Sequence, residues 1–160
     1  MSQPLELLSQ MYRFNSGVLD KFTDGFSDSD WLHRPGQANH AYWILGHITF
    51  YRREVLRELG DQIAKESWEE LFKIRTHPTN QIECISAGLL IQDFHGVGET
   101  LCARLMELTP EQAAATREDG TTIPFQKTVQ GYVQFFIWHE TYHIGQIGLI
   151  RRILEKPRLA

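Results

Sequence analysis

The chain has 160 residues, the size of one domain with room for a full hydrophobic core, and 42% apolar and 22% charged residues are ordinary for a soluble globular protein. A formal net charge of -4 argues against a broad phosphate-binding surface, so no nucleic-acid partner is expected. No apolar run approaches the roughly 18 residues a membrane helix needs, and the first residues carry no signal-peptide pattern, so a cytoplasmic protein of one domain, residues 1–160, is expected.

Leu5, Leu8, Tyr12, Asn15, Leu19 and Phe22 step by threes and fours, which predicts a first helix with Asn15 as the lone polar residue on its seam. Asn15 either fixes the register of that seam, the favoured reading, or reaches the histidine pocket described below. Gly25 and the Ser27-Asp28-Ser29-Asp30 run close this helix and open a connection through Trp31 to Gly36. A second helix is predicted from an Asn39 cap to Leu59, with Gly60 as its stop and Ile44, Ile48, Tyr51, Val55 and Leu59 as its apolar stripe. Arg52-Arg53 here and Arg151-Arg152 near the end are read as solvated helix surface. The polar connection 61–80 contains a capping-box pattern, Ser67-Trp68-Glu69-Glu70, opening a short helix over 68–74.

A third helix is predicted over 81–108 with Ala87, Leu90, Phe94, Val97, Leu101, Leu105 and Leu108 inward. Cys84 and Cys102 both fall in it, facing different ways, as two reduced and buried thiols. Thr109-Pro110-Glu111 starts a short helix to Ala115. Residues 117–124 read as a loop with a turn at Asp119-Gly120 and at most a brief extended piece over 121–123. A fourth helix carries the chain over 128–154, until Pro157 ends it. The fold class is therefore all-α: a four-helix bundle with short extra helices, in which the long link between the second and third helices implies a crossover.

On the fourth helix His139 and His143 stand four residues apart, so both imidazoles project from one face. The stripe Val133, Phe136, Glu140, His143, Ile147, Ile150, Leu154 turns that face inward, where polar side chains need partners. A divalent metal is an economical partner for both rings. His-Glu-x-x-His is a zinc motif of metalloproteases, but the chain after His143 holds no histidine or aspartate, and Gln146 stands where the extended protease pattern wants glycine. The third ligand must come from elsewhere, and His47, mid-helix beside an apolar stripe, is the best candidate. His40 lies two turns away, roughly 10 Å at about 1.5 Å per residue, too far to share an ion with His47. His33 and His77 fall in loops, and His95 lies off the core stripe of its helix.

The run Asn39-His40-Ala41-Tyr42-Trp43-Ile44-Leu45-Gly46-His47-Ile48, followed far downstream by His139-Glu140-Thr141-Tyr142-His143-Ile144-Gly145-Gln146, resembles the DinB/YfiT-like superfamily. The resemblance rests on a Leu-Gly-His on the second helix and a His-x-x-x-His-x-Gly-Gln on the fourth. It extends to the Arg34-Pro35-Gly36 and Thr122-Ile123-Pro124 lead-ins, so it spans nearly the whole chain. It implies a four-helix bundle, a metal site of His47, His139 and His143, a homodimer, and an activity among metal-dependent transferases and isomerases that use low-molecular-weight thiols. Exposed aromatics such as Trp31 or Phe125 are expected to contribute to the dimer.

Three neutral imidazoles leave an open coordination position, the mark of a catalytic rather than a structural site. Zinc or nickel is expected first, with iron, manganese or cobalt behind; imidazole suits zinc, nickel, iron and copper alike, and availability often decides which is loaded. Such an ion lowers the pKa of bound water towards about 7 and deprotonates a bound thiol. A thiol S-transferase acting on a small-molecule substrate is the leading expectation, with a metal-dependent hydrolase and a non-enzymatic metal-binding module as alternatives. Glu140 is a candidate to orient a ligand or move a proton, against the plainer reading of an interhelical hydrogen bond. Gln146 is a candidate to bind a ligand carbonyl, against pairing with backbone at the bundle end.

Overall fold

A computed structural model describes residues 3–78, 84–118 and 124–157. It contains the helices α1 (Gln3–Thr23), α2 (Asp28–Trp31), α3 (Ala41–Glu58), α4 (Ala87–Glu107), α5 (Pro110–Ala114) and α6 (Val129–Ile153), with 3-10 turns at Ser67–Phe72 and Pro124–Lys127. No strand occurs among the described residues, and the fold is an all-α bundle. Helix α1 packs on α4 and α6, and α3 packs on the same two, so α1 and α3 face each other across the diagonal.

Two apolar clusters give the direction of each helix. One gathers Leu19, Leu45, Leu90, Ile144 and Ile150; the other gathers Leu5, Val55, Leu59, Leu105 and Val133. The late part of α1 and α6 therefore lies level with the early part of α3 and α4. Helices α3 and α4 run parallel, and the chain between them must return along the length of the bundle, as the crossover expectation requires. Each fully buried aliphatic or aromatic side chain contributes about 1.5–3 kcal/mol, so these clusters supply the main drive for folding.

Local chemistry sets the helix ends. Helix α3 is capped by the His40 ring, whose Nδ1 accepts the Trp43 N–H at 3.0 Å, one residue later than the expected Asn39 cap. Gly60, at φ +91°, takes the left-handed conformation just past its C-terminus, as the sequence suggested. Helix α4 starts at Ala87 behind a Ser86 cap, so Cys84 precedes the helix and is exposed, against the expectation of a buried helical thiol. Cys102 is buried as expected. The short helix expected over 68–74 is the 3-10 turn, and α5 starts at Pro110 under a Thr109–Gln112 capping box. The turn at Asp119-Gly120 and the extended piece over 121–123 lie outside the described residues.

Two expectations fail for one reason: charge or loop composition was read as exposure. Trp31 sits in the short helix α2, capped by Ser27 and Asp30, and is 6% exposed against the edge of Phe26. Arg52 and Arg53 are buried within the bundle, and Arg151 is buried against the carbonyls of Phe22, Asp24 and Pro157; of the four arginines only Arg152 is exposed.

Candidate metal centre

The site forms where α3 and α6 pack side by side. The spacing of His139 and His143 brings their rings to one face of α6, with Nε2 atoms 3.1 Å apart. Across from them α3 presents His47, its ring centre 5.1 Å from that of His139 and 4.9 Å from that of His143. One nitrogen from each ring lies within 4.8 Å of the others. His47 and His143 are buried, and His139 is half-buried.

The ring faces and edges are enclosed by aromatics. Trp43 stacks on His47 at 4.5 Å, and Tyr51 meets both His47 and His139 edge-on at 4.9 and 5.0 Å. Phe136 in turn stacks on Tyr51 at 4.6 Å. Removal from water disfavours the charged imidazolium. Burial pushes His47 down to about 4, with the nearby His143 adding to the effect and the Phe72 carbonyl opposing it. Burial lowers His139 to about 3, again helped by its two histidine neighbours. His143 also moves down by burial, against a hydrogen bond to Gln146. Neutral rings near pH 7 are what a metal requires.

The tautomers suit that purpose. His47 Nδ1–H donates to the Phe72 carbonyl at 2.6 Å, and His143 Nδ1–H donates to Gln146 Oε1 at 2.8 Å. In both rings the Nε2 lone pair is left to face the cluster. His139 Nδ1 is buried with no hydrogen-bond partner. Two imidazoles bound at about 2.0–2.1 Å around a tetrahedral ion hold their nitrogens roughly 3.3 Å apart. The 3.1 Å separation on α6 is close to that value, so the residues fit a divalent metal.

Glu140 points elsewhere. Its Oε2 accepts from Arg52 Nε at 2.7 Å, and its Oε1 accepts from Arg52 Nη2 at 2.8 Å and Asn15 Nδ2 at 3.1 Å. Asn15 also donates to Thr141 Oγ1 at 3.0 Å, tying α1 to α6 in register. The Arg52 guanidinium further donates to the Ser16 hydroxyl and the Phe94 and Tyr12 carbonyls, and lies 3.5 Å over the Phe94 ring. This polar layer separates the two apolar clusters. Gly98 makes room for it, since a Cβ there would lie 2.2 Å from Arg52 Nη1. Gln146, offered as a ligand contact, spends its carbonyl oxygen on His143.

The remaining histidines stay apart from this group. His40 caps α3, His95 Nε2 pairs with Asp20 at 2.8 Å, and His33 and His77 lie in loops. A concavity of about 890 Å³ opens beside Phe22, Gly148, Leu149 and Arg152, and none of the three clustered histidines lines it. Sequence reasoning missed the Phe72 carbonyl and the depth of Arg52. Gly46, the one glycine among large residues in the first turns of α3, was a signal for the former: a Cβ there would lie 2.4 Å from the Phe72 ring.

No curated protein matches the chain. The family model of the DinB superfamily matches residues 11–147, a span that includes all three clustered histidines, the whole of α3 and most of α6, and the chain belongs to the DinB superfamily.

Proposed function

We propose that the protein is a metal-dependent S-transferase that activates a low-molecular-weight thiol at His47, His139 and His143 and delivers its sulfur to a small electrophile. The observation that carries this reading is the convergence of three neutral ring nitrogens within 4.8 Å. A zinc or nickel ion held there, with iron, manganese or cobalt as further candidates, supplies an open position and acidifies a coordinated thiol.

The chain's own residues prepare the donors. Phe72 and Gln146 fix two tautomers, while Trp43 stacks on the His47 ring and Tyr51, backed by Phe136, packs edge-on against His47 and His139. The donor set is uncharged, so an anionic sulfur ligand balances the dication where a carboxylate ligand otherwise would. Glu140, the residue a His-Glu-x-x-His hydrolase would use as base, has both oxygens engaged by Arg52 and Asn15. That engagement weighs against hydrolysis.

A homodimer belongs to the same proposal. Phe14 on α1 is 72% exposed and Trp138 on the adjacent α6 is 59% exposed and stacks on Tyr142, and Leu7 and Leu149 on the same two helices are exposed as well. Trp31 is buried and takes no part in such a surface, and the Phe125 side chain lies outside those described. An apolar surface of this kind marks an interface.

The test is turnover by tag-free, metal-loaded protein. One panel pairs glutathione or cysteine with alkyl halides and epoxides, and a second offers esters and amides without thiol. Turnover confined to the thiol panel is expected. Thiol-independent ester cleavage would establish the hydrolase instead, and silence in both panels would leave a metal-binding module.

A further inference from the structure

We infer that Glu69 is a positioning residue for the metal ligand His47, acting through the 3-10 turn that ends at Phe72. Glu69 lies in the crossover link, not in any bundle helix, yet it is 3% exposed. Its Oε1 accepts from Arg53 Nε at 2.8 Å, from Arg57 Nη2 at 2.7 Å and from the Glu66 N–H at 3.2 Å, and its Oε2 accepts from Arg57 Nη1 at 2.9 Å. Arg53 is itself held by Asp93 of α4 at 2.8 Å and by the Ala64 carbonyl at 2.7 Å. One carboxylate thus fastens the turn to α3, and through Arg53 to α4. Charge-assisted bonds of this kind hold geometry more tightly than neutral ones.

The far end of the same turn reaches the site. Phe72 is fully buried against Gly46, the residue before His47, at a spot where any Cβ would collide with its ring. Its carbonyl then accepts the His47 Nδ1–H at 2.6 Å. A hydrogen bond to the distal nitrogen of a ligand histidine selects the tautomer and aims the ring. The fastened turn therefore sets the direction of the His47 lone pair from three residues away. Gly46 serves the same end from the helix side.

The inference rests on His47 being a metal ligand, but half of its test does not. Glu69→Gln in the full chain keeps the shape and removes the charge; Gly46→Ala displaces Phe72 without touching the arginines. Both are compared with the parent protein for zinc affinity by chelator competition and for the imidazole ¹⁵N–¹H signals of the metal-free protein. Each variant is expected to bind zinc roughly 10-fold more weakly, the lower end for groups that support a metal ligand. The slowly exchanging Nδ1–H signal of His47 should broaden or vanish while that of His143 persists. A variant that melts earlier but keeps parental zinc affinity and an unchanged His47 signal would reduce Glu69 to scaffold and overturn the inference. If the parent protein binds none of zinc, nickel, iron, manganese or cobalt, the proposed function fails, and the His47 signal in the metal-free variants still decides the role of Glu69.

Discussion

Glu140→Gln isolates the charge at the centre of the bundle. The Arg52 and Glu140 side chains are 1% and 3% exposed, and they meet through two hydrogen bonds of 2.7 and 2.8 Å. Removing one member of a buried pair leaves the other uncompensated, at a cost of about 3–5 kcal/mol. Glutamine keeps one acceptor oxygen, and Arg52 keeps the Phe94 and Tyr12 carbonyls and the Ser16 hydroxyl, so the loss should fall near the lower end. At about 2–4 °C per kcal/mol for a domain of this size, the melting temperature should drop by roughly 6–12 °C. Urea titration should show an earlier midpoint with an unchanged slope. The double variant Arg52→Met/Glu140→Leu removes both charges and should recover much of the loss, because a well-packed apolar pair often matches a buried ion pair. Zinc content should survive in Glu140→Gln, since Glu140 is bonded to Arg52 and Asn15 rather than to the histidines. A single variant within about 1 kcal/mol of the parent, or a double variant no better than the single, would refute the isolated-charge argument.

His47→Ala should abolish stoichiometric zinc or nickel binding measured by elemental analysis after tag removal, and full metal content would remove it from the ligand set. Zinc at 100 times its Kd should stabilise the parent by about 2.7 kcal/mol and leave His47→Ala unmoved, as read by thermal melting. Folded-state pKa values of about 4 for His47 and about 3 for His139, against an ordinary 6.5, mean that the unfolded chain binds more protons between those limits. The metal-free protein should therefore hold this stability above pH 6.5 and lose it as pH falls towards 4; a flat profile of urea midpoints across that window would contradict the burial of the rings. Gly98→Ala forces a methyl against Arg52 Nη1 and should cost about 1–3 kcal/mol, whereas Gly17→Ala, where a Cβ meets nothing, should stabilise α1 by up to about 1 kcal/mol. Urea denaturation of the two variants side by side checks the pair.

The bundle was legible because its apolar residues keep helical spacing over long runs. The α6 stripe from Val133 to Ile150 and the α1 seam from Leu5 to Leu19 both face the core. The histidine group was legible for a related reason: the four-residue step from His139 to His143 fixes a shared face before any tertiary contact forms. Arg52 was not legible because its burial depends on acceptors from α1, α4 and α6 that no local pattern announces. Helix boundaries shifted wherever side-chain capping competed with periodicity, as at His40 and Ser86. The hydrogen bond on His47 comes from a backbone carbonyl, and a carbonyl has no letter in the sequence.

One guanidinium rooted in α3 holds groups on the other three long helices at once, and this limits how the bundle can move. Sliding any one rod by a single turn, about 5.4 Å, would strip that cation of a partner where no water can replace it. The two greasy halves above and below it are therefore coupled, and neither should loosen while the other stays shut. Slowest-exchanging amides in both halves should accordingly report the same opening free energy.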